Sequence, residues 1–244
     1  MRKYAFIFNL QTLIILVITL VSSWVCIQYR LHSYFDFLIL SLVIAFPLTF
    51  TLREAFKRRE RAIQYLSLFK AAMLSVYESF QYSKLEEDKK GQIKKTLFNI
   101  SNLLMDFLMR PGQSDIELQK EVDEVMRFME ENKDDLPKRL PVKLMLYFSR
   151  VRESISFLLA TKRHRTPYGV RFIVLFAIYL FAIFYPAALL NKTGFDISSF
   201  QVFLMSATKA LVLISLRNVQ TYLEDPFNQN GPDDIRLDDF RFSA

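Results

Sequence analysis

The chain of 244 residues is 52% hydrophobic, carries a formal net charge of +7 and contains one cysteine, Cys26. This composition excludes an ordinary soluble domain unless the apolar residues are concentrated in membrane spans, and one cysteine excludes an intrachain disulfide. The two histidines, His32 and His164, have no cysteine or histidine neighbours at the spacing of metal ligands. Excess basic residues are expected on the cytoplasmic segments of a membrane protein, so we expect no nucleic-acid partner.

The first apolar run covers residues 6–29. It is long enough to cross a hydrocarbon core of about 30 Å at about 1.5 Å per residue. It is too long for the apolar core of a signal peptide and lacks a small-residue cleavage site. A second apolar run, residues 35–52, follows after a short link. We therefore predict a transmembrane hairpin over residues 1–52.

The middle segment, residues 53–165, is typical of helices throughout and shows no convincing strand pattern. Its first part predicts a helix that continues the second span. Further along, Leu97, Ile100 and Leu104 recur at helical spacing, and Pro111 with the following glycine breaks the pattern. We predict a cytoplasmic helical domain here.

Two further apolar runs, residues 170–190 and 200–216, are joined by a short loop. They predict a second transmembrane hairpin over residues 166–217, followed by a tail at residues 218–244. The fold class expected from these patterns is an all-α membrane protein with four transmembrane helices and a helical cytoplasmic domain.

The distribution of basic residues predicts the orientation of the spans. The loops after the first and third spans contain only Arg30 and Lys192 as basic residues. The opposite ends of the spans are rich in them: Arg2, Lys3, Arg53, Lys57, Arg58, Arg59, Arg61, Lys162, Arg163, Arg165, Arg171 and Arg217. By the positive-inside rule, both termini and the middle segment are cytoplasmic. We expect a multi-pass protein of the bacterial inner membrane.

The sequence contains no motif of a known catalytic site. There is no glycine-rich nucleotide loop, no HExxH and no nucleophile elbow. The acidic run at residues 86–88 is typical of a solvated helix end. We therefore expect that the protein is not an enzyme and needs no cofactor.

One face of the second span is made of large apolar side chains. Leu42, Phe46 and Phe50 recur at intervals of four residues and share a helix face. They could line a path for ions, or they could pack against lipid or other helices. Pro47 on the same helix removes a backbone hydrogen bond and can kink the preceding turn.

Lys209 lies near the middle of the fourth span, where a charge is costly and often functional. The apolar part of the chain offers it no acidic partner. Two interpretations stay open. The ammonium group could reach the interface or a helix carbonyl, or it could face a water-filled path.

Two short stretches, each following a span, have a recognisable order of residues. After the second span, an aromatic residue, a small residue, a second aromatic residue and an arginine follow at fixed spacing: Phe50, Ala55, Phe56 and Arg58. After the fourth span comes an acidic Pro-Phe turn with further aspartates: Glu224, Asp225, Pro226, Phe227, Asp233, Asp234 and Asp238. Together with "TPYGVRF" at residues 166–172, this order resembles the bestrophin family.

The resemblance implies a homopentameric ion channel with the second spans around its axis. Leu42, Phe46 and Phe50 would then form a hydrophobic neck, and Val142 is the candidate for a second, cytoplasmic aperture. Chloride or other small anions would be the permeant ions. The alternatives are a monovalent cation channel of the same fold and a membrane scaffold that conducts nothing.

In animal bestrophins the Pro-Phe and acidic segment supplies a calcium-binding clasp. Here Asn230 replaces an expected acidic ligand, although Asp233 and Asp234 follow. Calcium prefers several carboxylate and carbonyl oxygens, so these two aspartates are the candidate ligands. The alternative, which the sequence favours, is a turn fixed by Pro226 and capped by Asp233 or Asp234.

Overall fold

The structure is a computed structural model that describes residues 9–34, 37–110, 114–164, 167–194, 197–229 and 234–243. The described residues form α-helices and two short 3-10 turns and contain no β-strand, which confirms the predicted all-α class. The helices are α1 (Leu10–Gln28), α2 (Phe37–Gln81), α3 (Glu87–Met109), α4 (Ile116–Glu131), α5 (Leu140–Arg163), α6 (Tyr168–Thr193) and α7 (Ser199–Leu223).

The chain divides into two compact units. The first unit contains Met1–Lys57 and Thr166–Glu224, and the second contains Arg58–Arg165 and Asp225–Ala244. One division falls inside α2, and another falls between the adjacent residues Glu224 and Asp225.

The predicted continuation of the second apolar run is confirmed, because α2 is a single helix of 45 residues. Pro47 lies inside it. The hydroxyl of Thr51 donates to the carbonyl oxygens of Pro47 at 2.8 Å and Leu48 at 3.0 Å. The backbone hydrogen bond that Pro47 cannot make is the one to the carbonyl of residue 43, so the Thr51 contacts lie one turn beyond the proline, in a helix that continues through it.

The core of the first unit is formed by α1, α6 and α7 with part of α2. Ile15, Ile178, Val202 and Ile214 are fully buried there. The side chain of Asn9 caps α1 by accepting from the backbone N–H of Thr12 at 3.0 Å, which is the usual role of asparagine before a helix. Further core residues are Ile44, Leu48, Val174, Phe181, Ala182, Tyr185, Leu190 and Ala210.

The core of the second unit is formed by the remaining part of α2 with α3, α4 and α5. Leu97, Ile100 and Leu104, which the sequence predicts on one helix face, are all fully buried. The buried apolar face of α4 is formed by Leu118, Val122, Val125, Phe128 and Met129. The end of the chain also contributes Phe227, Ile235, Leu237 and Phe242 to this core.

Three stretches of the described chain are long and apolar enough to cross a membrane. They are Leu10–Gln28, a window within Leu140–Thr193 and Ser199–Leu223. The apolar start of α2, predicted as the second span, is outside this set. The last helix continues to Leu223, past the apolar run that ends at residue 216.

Candidate functional site

The structure leaves the predicted apolar face of α2 exposed. Leu42 is 46% exposed, and Phe46 and Phe50 are each 59% exposed, whereas Ile44 and Leu48 on the opposite face are buried. The rings of Phe46 and Phe50 are stacked, with centroids 6.3 Å apart and planes at 23°. The three predicted residues therefore share one surface that no other part of the described chain covers.

The motif that follows on α2 has one buried and one exposed apolar residue. Ala55 is 2% exposed and Phe56 is 53% exposed, both in the first unit. Arg58 is half-buried and is the first residue of the second unit. Ala55 thus fills a position where a larger side chain would meet the packed interior.

Glu224, the first acidic residue of the Pro-Phe motif, is buried at the end of α7 and 3% exposed. Its carboxylate accepts a hydrogen bond from Nε2 of Gln220 at 3.0 Å and forms an ion pair with Arg171 on α6. A buried carboxylate requires such partners, since an isolated charge in the interior is very costly. In the sequence, Arg171 is one of the basic residues that predict orientation and belongs to the stretch at residues 166–172, but nothing there indicates its pairing with Glu224.

Asp225, the next residue, makes its own ion pair within the second unit. Nζ of Lys162 in the last turn of α5 lies 3.0 Å from one carboxylate oxygen and 3.1 Å from the other. The side chains of Lys162 and Asp225 are only 9% and 13% exposed. The two consecutive carboxylates of the motif are thus each paired with a base on a different helix.

The Pro-Phe turn is held by an apolar anchor and two backbone contacts. Phe227 is fully buried in the core of the second unit. The backbone N–H of Ile235 donates to the carbonyl of Pro226 at 2.9 Å. Gln229, whose φ is 56°, donates from its side chain to the carbonyl of Ile235 at 2.5 Å. The segment is therefore a packed turn rather than a loose tail.

The candidate calcium ligands are described only in part. Asp233 and Asn230 lie outside the described residues, while Asp234 is half-buried. Asp238 is exposed and pairs with Arg241 at 2.8 Å. Within the described part of the chain, no three acidic, histidine or cysteine side chains come together as metal ligands.

Lys209 faces an aromatic ring. Its Nζ lies 4.5 Å from the ring centroid of Tyr185 on α6, and Tyr185 is in turn stacked on Phe181 with centroids 4.7 Å apart. Lys209 is exposed in the structure. A cation–π contact of an exposed base contributes about 0.5–1 kcal/mol, and a lysine at the centre of a membrane helix costs about 2.5–3.5 kcal/mol. The ring therefore offsets only part of this cost, and the sequence does not indicate the contact because ring and base are on different helices.

A buried polar network joins α1 to α7 in the first unit. Nδ2 of Asn9 donates to Oδ1 of Asn218 at 3.2 Å, and Nδ2 of Asn218 donates to the hydroxyl of Thr12 at 2.8 Å. One residue earlier on each helix, Arg217 donates to Gln11. The sequence does not indicate which residues pair here. It offers one weak signal, a polar residue, Asn218, inside a long helical run.

Val142, the candidate for a second aperture, lies in the first turn of α5 and is 74% exposed. Met145 and Leu146, one turn further along, are also exposed, whereas Leu144 is fully buried. The N-terminal part of α5 thus has an apolar face that the described chain does not cover.

Comparison with known proteins places these features on a known fold. No family model and no curated protein sequence matches the chain. Two solved structures of variants of a bacterial bestrophin homolog from Klebsiella pneumoniae are similar to it, with TM-scores of 0.81 and 0.79. They are 16% and 15% identical and cover 94% of this chain, which covers 92% and 96% of theirs. A structure described as a membrane protein has a TM-score of 0.80 at 16% identity, with 95% of each chain covered.

The similarity extends over nearly the whole length of both chains, so it includes residues of both units. The matched structures are named as bestrophin homologs or membrane proteins, and none of these names describes an enzyme. The apolar helices agree with this assignment. The chain is an integral membrane protein with the fold of the bacterial bestrophin homologs.

Proposed function

We propose that the chain is one subunit of a homopentameric ion channel with four spans per subunit. The observation that carries the proposal is the exposed face of α2 formed by Leu42, Phe46 and Phe50. A single subunit of this size cannot enclose a conduction path, so several copies must surround one. If this face of each copy points toward a shared axis, the apolar side chains of all copies surround that axis and form the wall of a pore.

The chemistry of the face fits a neck that gates by dewetting. A narrow apolar constriction opposes the passage of hydrated ions unless it widens enough to stay wet. The rings of Phe46 and Phe50 would line such a constriction, and their positive edges favour a passing anion. Val142 on the exposed apolar face of α5 is the proposed second aperture.

The proposed permeant ions are chloride and other small anions. The net charge of +7 raises the local concentration of anions around the protein. The clusters of lysine and arginine at the ends of the apolar helices support a topology with both termini in the cytoplasm. The bacterial inner membrane is the proposed location.

Purified protein reconstituted in a planar bilayer under a potassium chloride gradient tests this function. We expect single-channel currents with a reversal potential close to the equilibrium potential of chloride. Native mass spectrometry of the same preparation should give five copies. A reversal potential near that of potassium would identify a cation channel, and a stable oligomer that carries no current would identify a scaffold.

A further inference from the structure

A groove of about 700 Å³ lies between α1 and α6 in the first unit. Its walls are almost entirely apolar over most of its length: Val17, Val21 and Val25 on α1 face Phe184 on α6. At one end, the turn that follows α1 brings His32 to the groove. The groove is therefore apolar along its walls and polar at one mouth.

Two hydrogen bonds connect the two sides of the groove. The hydroxyl of Ser22 donates to the carbonyl of Ile183 and links the two helices across the floor. The turn after α1 is held to α6, because the backbone N–H of Ser33 donates to the carbonyl of Ala187 at 3.3 Å. Both walls and the mouth thus keep their relative positions.

The length of the apolar part matches one leaflet of a bilayer. Val17 and Cys26 both line the groove and are nine residues apart on α1. This separation corresponds to about 13 Å along the helix, close to half of a hydrocarbon core of about 30 Å. An acyl chain lying along the groove would remain in the leaflet that surrounds this end of the helix.

Arg30 immediately precedes Leu31 and His32, which line the mouth of the groove, so its side chain starts one residue from that mouth. Arg30 is exposed in the turn after α1, with φ at 51°. Nδ1 of His32 lies 3.5 Å from the carbonyl of Arg30, so the imidazole and the arginine belong to one short turn. Guanidinium groups match phosphate oxygens in geometry and charge. The mouth therefore complements an anionic headgroup.

We propose that this groove binds one phospholipid molecule, with an acyl chain between α1 and α6 and the phosphate at Arg30 and His32. An amphiphile explains the combination of an apolar channel with a cation at one end. Phospholipid also surrounds every helix that crosses a membrane. The inference depends on the membrane location of the protein and not on ion conduction.

The single tryptophan of the chain, Trp24, provides a direct measurement. It is 56% exposed on α1, next to Val25 in the groove wall. Brominated phospholipids quench tryptophan fluorescence on contact. In vesicles of phosphatidylcholine with equal fractions of brominated lipid, we expect brominated phosphatidylglycerol to bind about fivefold more strongly than brominated phosphatidylcholine.

Two pairs of variants separate the headgroup contact from the groove. Arg30→Gln should reduce the lipid preference to near one, and Lys192→Gln, at the end of α6, should leave it unchanged. Val21→Phe fills the groove and should remove the selective part of the quenching. Leu20→Phe adds the same ring on an exposed position of α1 outside the groove, and it should preserve the preference.

Each alternative gives a distinct result. Equal quenching by both brominated lipids in the unmodified protein would overturn the phosphate contact. No quenching by either lipid would show that lipid does not reach the surface of α1 beside the groove and would overturn the proposal. Size-exclusion profiles of all variants must match the unmodified protein. Loss of ion conduction with retained lipid preference would contradict the channel function alone.

Discussion

Arg171 near the start of α6 forms an ion pair with Glu224 at the end of α7, where the glutamate side chain is almost fully buried. The two residues belong to the same unit and join two of its apolar helices. An ion pair of this kind is costly to disrupt on one side only, because the remaining charge stays buried without compensation. It makes Glu224 of the Pro-Phe motif a structural residue of the helix bundle.

Replacing Glu224 by glutamine should destabilise the protein by up to about 3 kcal/mol, because Arg171 keeps its charge in a partly buried position without its partner. Thermal unfolding followed by size-exclusion chromatography measures the loss. In a double-mutant cycle of Arg171→Met and Glu224→Met, the double variant should be more stable than the sum of these two single variants predicts. Additive losses would show that the two side chains do not interact.

Asp225→Asn tests the second ion pair of the motif. We expect a clear loss of thermal stability, because Lys162 would keep a largely buried ammonium group without its carboxylate. Glu54→Gln is the matched control, since Glu54 pairs with Lys57 at 2.9 Å but both side chains are exposed. An exposed pair contributes about 0–1 kcal/mol. Equal losses in the two variants would contradict the structural role of Asp225.

The double variant Phe46→Ala with Phe50→Ala tests the proposed neck. Removing both rings widens the constriction and reduces the cost of keeping it wet. We therefore expect a stable oligomer with larger or less gated current. If the rings were packed in a core, the same change would cost about 3–5 kcal/mol for each ring. Bilayer current and thermal stability should be measured on one preparation.

A matched control for the neck is present on α6. Phe172 and Phe176 are also exposed and stacked, with ring centroids 6.1 Å apart. Their double replacement by alanine removes the same number of atoms from a different surface. Unchanged current in this control with altered current in the α2 variant supports the proposed path. A destabilised α2 variant with normal single-channel current would place Phe46 and Phe50 in packing.

Lys209→Met should change single-channel conductance or ion preference and leave thermal stability close to that of the unmodified protein. The substitution removes a costly charge together with the cation–π contact that offsets it. Tyr185→Leu leaves the charge without its ring and should lower stability more than Tyr185→Phe, which keeps an aromatic face. Collapse of the oligomer in Lys209→Met, with normal current from the remaining protein, would show a structural role alone.

Patterns that depend on neighbouring residues could be predicted from the sequence. The period of Leu97, Ile100 and Leu104 predicts a helix face, and the structure buries all three. The spacing of four residues likewise predicts that Leu42, Phe46 and Phe50 share one face of α2, whereas the pore role of that face stays a prediction. These predictions succeed because helical periodicity is set locally.

Partnerships between distant residues could not be predicted in the same way. The pairs Arg171 with Glu224 and Lys209 with Tyr185 join different helices. Only the packing angle and axial register of those helices bring the side chains together. A single sequence contains no measure of that register, so it does not indicate that Tyr185 is the partner of Lys209.

Glu224 and Asp225 are adjacent in the chain, yet each is anchored to a different helix. Successive Cα atoms are about 3.8 Å apart, so the insertion of one residue between them would shift a carboxylate by about the full length of an ion pair. The motif is therefore sensitive to a change in length as well as to substitution. Among relatives of this fold, insertions and deletions should avoid this peptide bond.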